Sequence, residues 1–267
     1  MNTNIQEFID LLIGLEPTFR QAGDLAKKLR PSAIASKKSD TGMAGVDIIT
    51  DADLAVQEFV LSEIAKTSLV NCALIAEEDT PSVSKFKGTN GLVLTIDPID
   101  GTRVYAEGGN FYSIIICLHD KKSYHYVYLY YPEADWTRRI TDSEVIDFGQ
   151  LPKAEIRDEL NLERVIVHAF KFPKKTAPEM YSEMISRGYI FKSINELTFE
   201  NGPWPMSLFF VSQVGGYYIE TPSSYDGICV LYYGQVKGFE IKSTVDIANP
   251  FKDARGTRYP GWYLVLK

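Results

Sequence analysis

Two apolar runs that end abruptly in acidic residues constrain this fold more than any other feature. The first is CALIAEED, residues 72–79, and the second is GLVLTIDPID, residues 91–100. Apolar runs of this length are typical of buried strands. Polar residues that follow such strands lie at the edge of a sheet, where functional side chains concentrate. Both runs are therefore predicted to deliver carboxylates to a sheet edge.

The end of the second run has the geometry of a cation site. Pro98 fixes its own φ and biases Asp97 toward an extended backbone. Asp97, Asp100 and the main-chain carbonyl of Ile99 could therefore converge on a metal ion.

Gly101 and Thr102 follow directly and suggest a place for phosphate. Gly101 permits a sharp turn, and Thr102 could begin a helix whose free N–H groups face the same point. Taken alone, the segment is also compatible with an Asp-Pro turn followed by an Asp-capped helix. The other acids of the chain favour the functional interpretation.

Composition limits the classes of function. The chain has 267 residues, of which 45% are hydrophobic, enough for one large domain or two closely packed halves. We expect a single unit over residues 1–267, with a metal- and phosphate-binding half at about 1–150 and a smaller α/β half at about 151–267. The net charge of -7 argues against binding a nucleic acid polymer or an anionic membrane. A small anionic substrate remains compatible with a local cationic site.

Cysteine usage and the amino terminus indicate a cytoplasmic protein. Cys72, Cys117 and Cys229 are too few and too widely spaced for a disulfide framework or a C-x-x-C pair, so we expect them reduced and buried. The first residues, MNTNIQEFID, lack the basic and apolar regions of a signal peptide. No apolar run approaches the ~20 residues that span a bilayer.

Hydrophobic periodicity predicts a mixture of helices and sheets. Helical spacing runs over residues 5–15, resumes after Pro17 and ends at Pro31. Residues 34–46 are predicted to form a mobile loop, and Thr50 to cap a helix over residues 51–66. Further predicted elements are an antiparallel meander at 112–141, helices at 177–187 and 205–214, a strand at 215–220, a helix opening at Asp226 and a strand at 261–267.

The sequence lacks the motifs of several common enzyme classes. The sequence has no G-x-G-x-x-G, no G-x-x-x-x-G-K-[ST], no G-x-S-x-G and no H-E-x-x-H, and its three histidines, His119, His125 and His168, are treated as structural. The acids at strand ends offer hard oxygen ligands without nearby Cys or His partners. Such donors suit Mg²⁺ or Mn²⁺ better than zinc.

Four segments in order resemble the inositol monophosphatase-like superfamily of lithium-sensitive, Mg²⁺-dependent phosphatases. They are DIITDAD at 47–53, AEED at 76–79, DPIDGT at 97–102 and YDG at 225–227, and the hairpin VYLYYPEAD at 127–135 is also similar. The resemblance implies a layered αβαβα sandwich of the α/β class, the sugar-phosphatase or inositol monophosphatase-like fold, with mixed, largely antiparallel sheets.

The resemblance also implies roles for individual residues in the hydrolysis of a small phosphorylated substrate by a metal-activated water. Two or three Mg²⁺ ions, replaceable by Mn²⁺, would be held by carboxylates and one main-chain carbonyl: Glu77, Asp97, Ile99, Asp100 and Asp226. Gly101 and Thr102 would donate N–H groups to the phosphate, and Glu220 would contact the substrate. Asp53 would bind the Thr102 hydroxyl, while Glu77 and Thr102 orient the water. A homodimer is expected.

Several of these residues have simpler interpretations. Acidic residues are common in the first turn of a helix, so Asp53 could have only that role. Glu78 and Glu220 are compatible with structural or solvated roles. Asp47 could merely shape a loop, and Lys37 and Lys38 could form a solvated face. The chain departs from the family pattern at Ala76, Tyr225, the helix after Asp226 and GPWPMS at 202–207, and it ends without the usual final helix.

Arg103 bears on the substrate. The segment DGTRVYAEGG resembles bisphosphate nucleotidases more than inositol monophosphatases, with Arg103 in place of a lysine and Tyr105 in place of an aromatic residue. Arg103 could bind a second phosphate or pair with Glu107 on a helix surface. The sequence thus leans toward a 3'(2'),5'-bisphosphate nucleotidase. An inositol or sugar phosphatase, and a catalytically weak ligand-binding module, remain alternatives.

Overall fold

The computed structural model describes residues 5–37, 48–153, 156–168, 171–198, 205–253 and 256–267. Within those residues the helices are α1 (Ile5–Leu29), α2 (Asp51–Ile64), α3 (Thr102–Ala106), α4 (Pro173–Thr176), α5 (Pro178–Ser186), α6 (Pro205–Val211) and α7 (Cys229–Lys237). The strands are β1 (Ala35–Lys37), β2 (Ile48–Thr50), β3 (Ala73–Ala76), β4 (Val93–Asp100), β5 (Ser113–His119), β6 (Tyr124–Tyr131), β7 (Trp136–Thr141), β8 (Val145–Phe148), β9 (Val165–His168), β10 (Ile190–Ser193), β11 (Gly216–Glu220), β12 (Glu240–Ser243), β13 (Phe251–Asp253), β14 (Gly256–Arg258) and β15 (Trp262–Leu266).

Two larger sheets organise the chain. The first has the order β3-β4-β5-β6-β7-β8, in which β3 is parallel to β4 and the other pairs are antiparallel. The second has the order β10-β9-β11-β15-β12, with parallel pairing among β10, β9 and β11. Short antiparallel pairs join β1 to β2 and β13 to β14.

The sheets and helices stack in five layers. Helices α1 and α2 cover one face of the first sheet, and α6 and α7 lie between the two sheets. Residues of α5 pack on the outer face of the second sheet. Alternating side chains of β5 face opposite cores, because Ile114 and Ile116 point toward α1 and α2 while Ile115 and Cys117 point toward α7. The predicted αβαβα class is confirmed.

Element boundaries differ from the sequence prediction in a few places. Helix α1 continues through Pro17, because its buried face on both sides of the proline packs on the first sheet and outweighs the roughly 3 kcal/mol cost of an internal proline. Helix α2 ends at Ile64 and α6 at Val211, each slightly earlier than predicted. The last helix begins at Cys229, after residues 224–228 form turns. Residues 35–37 of the predicted loop at 34–46 instead form β1, which pairs with β2, and residues 38–46 lie outside the described residues.

The three cysteines are free and buried, as predicted. Although distant in sequence, Cys117 and Cys229 meet in the fold, with their sulfur atoms 3.6 Å apart. None of the helices in the described ranges is both long and apolar enough to cross a membrane.

Candidate metal and phosphate site

The end of β4 places two acids on one face of the first sheet. Asp97 lies opposite Ile115 and Asp100 lies opposite Ser113, so three steps along β4 match two steps along β5. This extra residue is a β-bulge, and it turns Asp97 and Asp100 to the same side. Pro98 falls within the bulge, where its missing N–H disturbs the ladder least.

The turn after Asp100 brings the threonine back toward the strand. Gly101 has a left-handed backbone with φ 85°, which glycine adopts without strain, and Thr102 opens α3. The Thr102 hydroxyl oxygen lies 3.1 Å from the Ile99 carbonyl oxygen and 3.2 Å from Asp53 Oδ1. The contact between Asp53 and Thr102 that the family resemblance implied is therefore present.

Asp53 also has the simpler role that its sequence position suggested. Its Oδ2 accepts hydrogen bonds from the Thr50 N–H at 2.8 Å and the Thr50 hydroxyl at 2.6 Å, which closes a capping box at the start of α2. One carboxylate thus caps a helix and reaches the threonine of the site. Burial raises the pKa of Asp53 to about 6, against the opposing hydrogen bonds from Thr50.

A loop from the second half of the chain supplies the third acid. The Asp226 loop, residues 221–228, joins β11 to α7, and the candidate ligand atoms of Asp97, Asp100 and Asp226 all lie within 4.8 Å of one another. Residues far away in sequence hold this loop. Tyr124 donates a hydrogen bond to the Ser224 carbonyl at 3.1 Å, and Tyr263 donates one to the Gly227 carbonyl.

The electrostatics of the cluster show strong repulsion among the carboxylates. Burial raises the pKa of Asp97 well above its ordinary value, and the nearby charges of Glu77, Asp100 and Asp226 raise it further. Asp100 shifts in the same direction, through burial and then Asp226. Burial raises the pKa of Asp226 to about 6, although the Arg258 guanidinium opposes that shift.

The donor set fits a hard divalent cation. Asp97 is only 3% exposed, and its Oδ1 has no hydrogen-bond partner among the described residues. A buried carboxylate oxygen without a donor is costly unless a cation compensates it. Every candidate ligand atom is oxygen, which Mg²⁺ and Mn²⁺ prefer.

The remaining predicted residues occupy varied positions. Glu77 directly follows β3, and its N–H donates to the Ile96 carbonyl at 3.2 Å, which places it beside Asp97. Gln57 bonds both main-chain groups of Glu78. Glu220 ends β11 and pairs with Lys171, with 3.2 Å between Oε1 and Nζ.

Arg103 forms an ion pair on the surface. Its Nε lies 3.1 Å from Glu107 Oε1, and the two side chains are 51% and 64% exposed. Of the other residues weighed from sequence, Lys37 is exposed, whereas Lys38, Asp47 and residues 202–204 lie outside the described residues.

Two residues near the acids were not predicted from the sequence. Ser113 donates a hydrogen bond to Asp100 Oδ2 at 3.2 Å, and Arg258 acts electrostatically on Asp226. Neither belongs to a motif, and each reaches the site only through pairing between segments distant in sequence. The register of β5 against β4 identifies Ser113 as the residue opposite Asp100, but that register cannot be read from the sequence.

A bulged strand end, a left-handed glycine and a buried carboxylate cluster define an α/β protein with a candidate cation site. The family model "Inositol monophosphatase family" matches residues 11–141. Over 109 residues the chain is 32% identical to inositol monophosphatase 2 of Rattus norvegicus, covering 38% of this chain and 37% of the rat protein.

Solved structures extend the likeness across the whole fold. A staphylococcal IMPase-I complexed with products has a TM-score of 0.65 at 15% identity, covering 99% of this chain and 92% of that one. An IMPase/NADP phosphatase complexed with Mg²⁺ and phosphate has a TM-score of 0.64 at 14% identity, covering 99% and 92%. Residues 11–141 thus match the inositol monophosphatase family, and the likeness of the whole chain to these solved structures is one of fold. Asp226 lies beyond the residues that the family model matches, so its placement rests on the fold.

Proposed function

We propose that this protein is a Mg²⁺-dependent phosphomonoesterase that hydrolyses a small anionic phosphate ester. The carboxylates of Asp97, Asp100 and Asp226, gathered within 4.8 Å of one another, carry this proposal. The IMPase/NADP phosphatase that was crystallised with Mg²⁺ and phosphate gives further support.

The residues divide into those that hold metal and those that handle substrate and water. Two or three Mg²⁺ ions, or Mn²⁺ in their place, would be held by oxygen ligands from Glu77, Asp97, Ile99, Asp100 and Asp226. When bound, such ions lower the pKa of water and stabilise negative charge on a phosphoryl group. Gly101 and Thr102 donate N–H groups to the phosphate, and Glu220 contacts the substrate.

Asp53 and Glu77 complete the arrangement. Asp53 fixes the Thr102 hydroxyl through the 3.2 Å contact, so that this hydroxyl is oriented before substrate arrives. Glu77 and Thr102 together orient the attacking water.

Phosphate release from a panel of phosphate esters tests the activity. We expect turnover with Mg²⁺, loss of turnover in excess EDTA and inhibition by millimolar lithium, since a staphylococcal relative was crystallised as an inhibitory complex after soaking in LiCl. Full turnover in excess EDTA would overturn the proposal. Saturable Mg²⁺ binding without turnover on any ester would favour the catalytically weak binding module instead.

Arg103 supports a finer hypothesis, that the substrate is a nucleoside 3'(2'),5'-bisphosphate. Its exposed pair with Glu107 is worth only ~0.3–0.5 kcal/mol. A bidentate contact with phosphate is worth roughly 1.5–3 kcal/mol, so Arg103 can exchange the carboxylate for a second phosphate. An inositol phosphate is the alternative substrate, in line with the name of the rat relative.

Two variants test the substrate hypothesis. Arg103→Ala should reduce the preference in kcat/KM for the bisphosphate over inositol 1-phosphate by about tenfold or more. Glu107→Gln is the matched control, because it removes the ion pair but leaves the guanidinium. Equal losses on both substrates in Arg103→Ala, or a wild-type preference for inositol phosphate, would contradict the bisphosphate hypothesis.

The expected homodimer and cytoplasmic location are part of the same proposal and follow from family resemblance and cysteine usage. Analytical ultracentrifugation at several protein concentrations tests the dimer directly.

A further inference from the structure

The Thr102 segment, residues 101–109, follows β4 and is tied at its far end to Arg30, the residue directly after α1. We propose that Arg30 is a positioning residue: its guanidinium holds the Thr102 segment, so that the Thr102 hydroxyl stays oriented for the attacking water. This inference rests on the proposed function, in which Thr102 orients that water, and it adds a residue that belongs to none of the four motifs.

Local contacts alone hold Thr102 weakly. Helix α3, which Thr102 opens, has only five residues, and helices this short are not stable by themselves in water. The Thr102 hydroxyl lies 3.2 Å from Asp53 Oδ1 and 3.1 Å from the Ile99 carbonyl oxygen, but it has a single proton and donates fully to only one of them. The position of Thr102 therefore depends on contacts that hold the rest of its segment.

The Arg30 guanidinium supplies such contacts through all three of its nitrogen atoms. Nε donates to the Tyr105 carbonyl at 3.2 Å, Nη2 donates to the Gly109 carbonyl at 2.6 Å, and Nη1 donates to Glu133 Oε1 at 2.8 Å. The two carbonyls belong to the Thr102 segment, whereas Glu133 lies in the turn between β6 and β7. One guanidinium therefore joins the end of α1 to the Thr102 segment and to the first sheet.

Aromatic rings and shielding from water keep Arg30 itself in place. Its guanidinium carbon lies 5.7 Å from the centre of the Tyr105 ring and 5.5 Å from that of Tyr112, within the range of cation–π attraction. The Tyr112 hydroxyl donates to Glu133 Oε1 at 3.0 Å, and the Tyr105 hydroxyl donates to the Ala26 carbonyl of α1 at 2.8 Å. The Arg30 side chain is only 17% exposed, so water competes little for its hydrogen bonds.

The acids of the metal site are held by other contacts. Asp97 and Asp100 lie on β4, which pairs with β5 on both sides of the bulge, and Asp226 lies in its own loop. Loss of the Arg30 guanidinium should therefore displace Thr102 without displacing these three carboxylates. Turnover and Mg²⁺ affinity should respond differently to the same substitution.

Two variants remove the guanidinium in different ways. Arg30→Met keeps the apolar length of the side chain, and Arg30→Lys keeps the charge on one ammonium that cannot span three acceptors. Arg20→Met is the matched control. Arg20 also projects from α1, pairs with Asp135 in the β6–β7 turn and lies 5.2 Å from the centre of the Tyr130 ring. None of its hydrogen bonds or ion pairs among the described residues involves the Thr102 segment.

Three quantities are measured for each variant, at a temperature well below its melting point. They are kcat from phosphate release, the Mg²⁺ dissociation constant from isothermal titration calorimetry, and backbone hydrogen exchange from mass spectrometry. We expect both Arg30 variants to lower kcat about tenfold, because a small displacement of a group that acts in the reaction is costly. Their Mg²⁺ affinity should stay at the wild-type value.

Hydrogen exchange reports the position of the segment without any turnover. Exchange in residues 101–109 should become about fivefold faster or more in both Arg30 variants and stay unchanged in β5. Arg20→Met should keep the wild-type kcat and the wild-type exchange of the Thr102 segment, even where its melting temperature falls. Should Arg30→Met fail to fold, Arg30→Lys decides alone.

A wild-type kcat in a folded Arg30 variant would overturn this inference alone, because a residue that merely stabilises the fold lowers the melting temperature and leaves turnover unchanged. Weaker Mg²⁺ binding in the Arg30 variants would also overturn it, since the disturbance would then reach the whole site. Wild-type exchange of the Thr102 segment would overturn it whatever the rates. No turnover of any ester by the wild type would overturn the proposed function, and with it the role of Arg30 in the reaction.

Discussion

Two regions contribute acids to the same cluster, and they are built in different ways. Asp97 and Asp100 lie three residues apart on β4, between β3 and β5, and a single bulge turns them to one side. Asp226 lies in a loop whose conformation depends on Tyr124 and Tyr263, residues from two other strands. One half of the site is local, and the other is held by tertiary contacts.

The two regions should respond differently to substitution. The β4 half is held by pairing with β5 on both sides of the bulge, so a substitution there alters chemistry more than position. The Asp226 loop is positioned by separate bonds, and the loss of one shifts an acid relative to its partners. The family model, which matches residues 11–141 only, follows the same division.

The largest expected effect tests whether both regions serve one metal site. Asp97→Asn and Asp226→Asn should each reduce kcat by at least about 100-fold, the upper range for losing even an outer-shell partner of a metal. Neither variant should unfold, because each removes one of several mutually repelling buried charges. Steady-state phosphate release and thermal melting check both points, with the exposed Asp24→Asn as the control. A wild-type rate in Asp226→Asn would remove the loop from the site.

A pH effect follows from Asp53 in the metal-free protein. Its pKa is raised from 3.8 to about 6 in the folded state, so the folded protein binds this proton more tightly than the unfolded chain does. The contribution to stability is complete below pH ~4 and is lost as the pH rises through 6, a change of up to about 3 kcal/mol.

Asp53→Asn should therefore flatten part of the fall in unfolding free energy between pH 4 and pH 7. Urea denaturation in EDTA at several pH values measures that slope. The slope is the informative quantity, because the lost bonds to Thr50 lower stability at every pH. An unchanged slope would show that Asp53 stays ionised in the fold.

Tyr263→Phe tests whether distant contacts position the late loop. Losing the hydroxyl leaves the buried Gly227 carbonyl without its donor, at a cost of roughly 1–3 kcal/mol in unfolding free energy. Mg²⁺ affinity should fall as well, because the adjacent Asp226 moves. Tyr126→Phe is the matched control, since its hydroxyl bonds Glu16 in the core on the other face of the first sheet. It should lose stability with no change in Mg²⁺ affinity, and equal affinity in both variants would argue against the positional role.

The smallest expected effect concerns the stability of the β4 half. Arg103→Ala removes an exposed ion pair with Glu107 and should lower the unfolding free energy by only ~0.3–0.5 kcal/mol. Chemical denaturation measures it, and a loss above ~1.5 kcal/mol would indicate that Arg103 supports the fold in addition to any substrate contact.

Sequence determined the parts of this protein that depend on neighbouring residues. The strand that ends in Asp97 and Asp100, the left-handed turn at Gly101 and the helix start at Thr102 all follow from local conformational preferences. The buried runs and helical periodicity predicted the mixture of helices and sheets, because burial on one or both faces sets which residues are apolar. The order of four motifs gave the resemblance to the inositol monophosphatase-like superfamily.

Tertiary structure alone decided where the distant groups meet. The bulge that aligns Asp97 with Asp100 exists only in the pairing of β4 with β5, and Ser113 reaches Asp100 for the same reason. Arg258 comes to the Asp226 loop through a strand bridge more than 30 residues from it in sequence. Such contacts depend on which segments pair and in what register, and a register is set by the whole set of packed faces rather than by any local stretch of sequence.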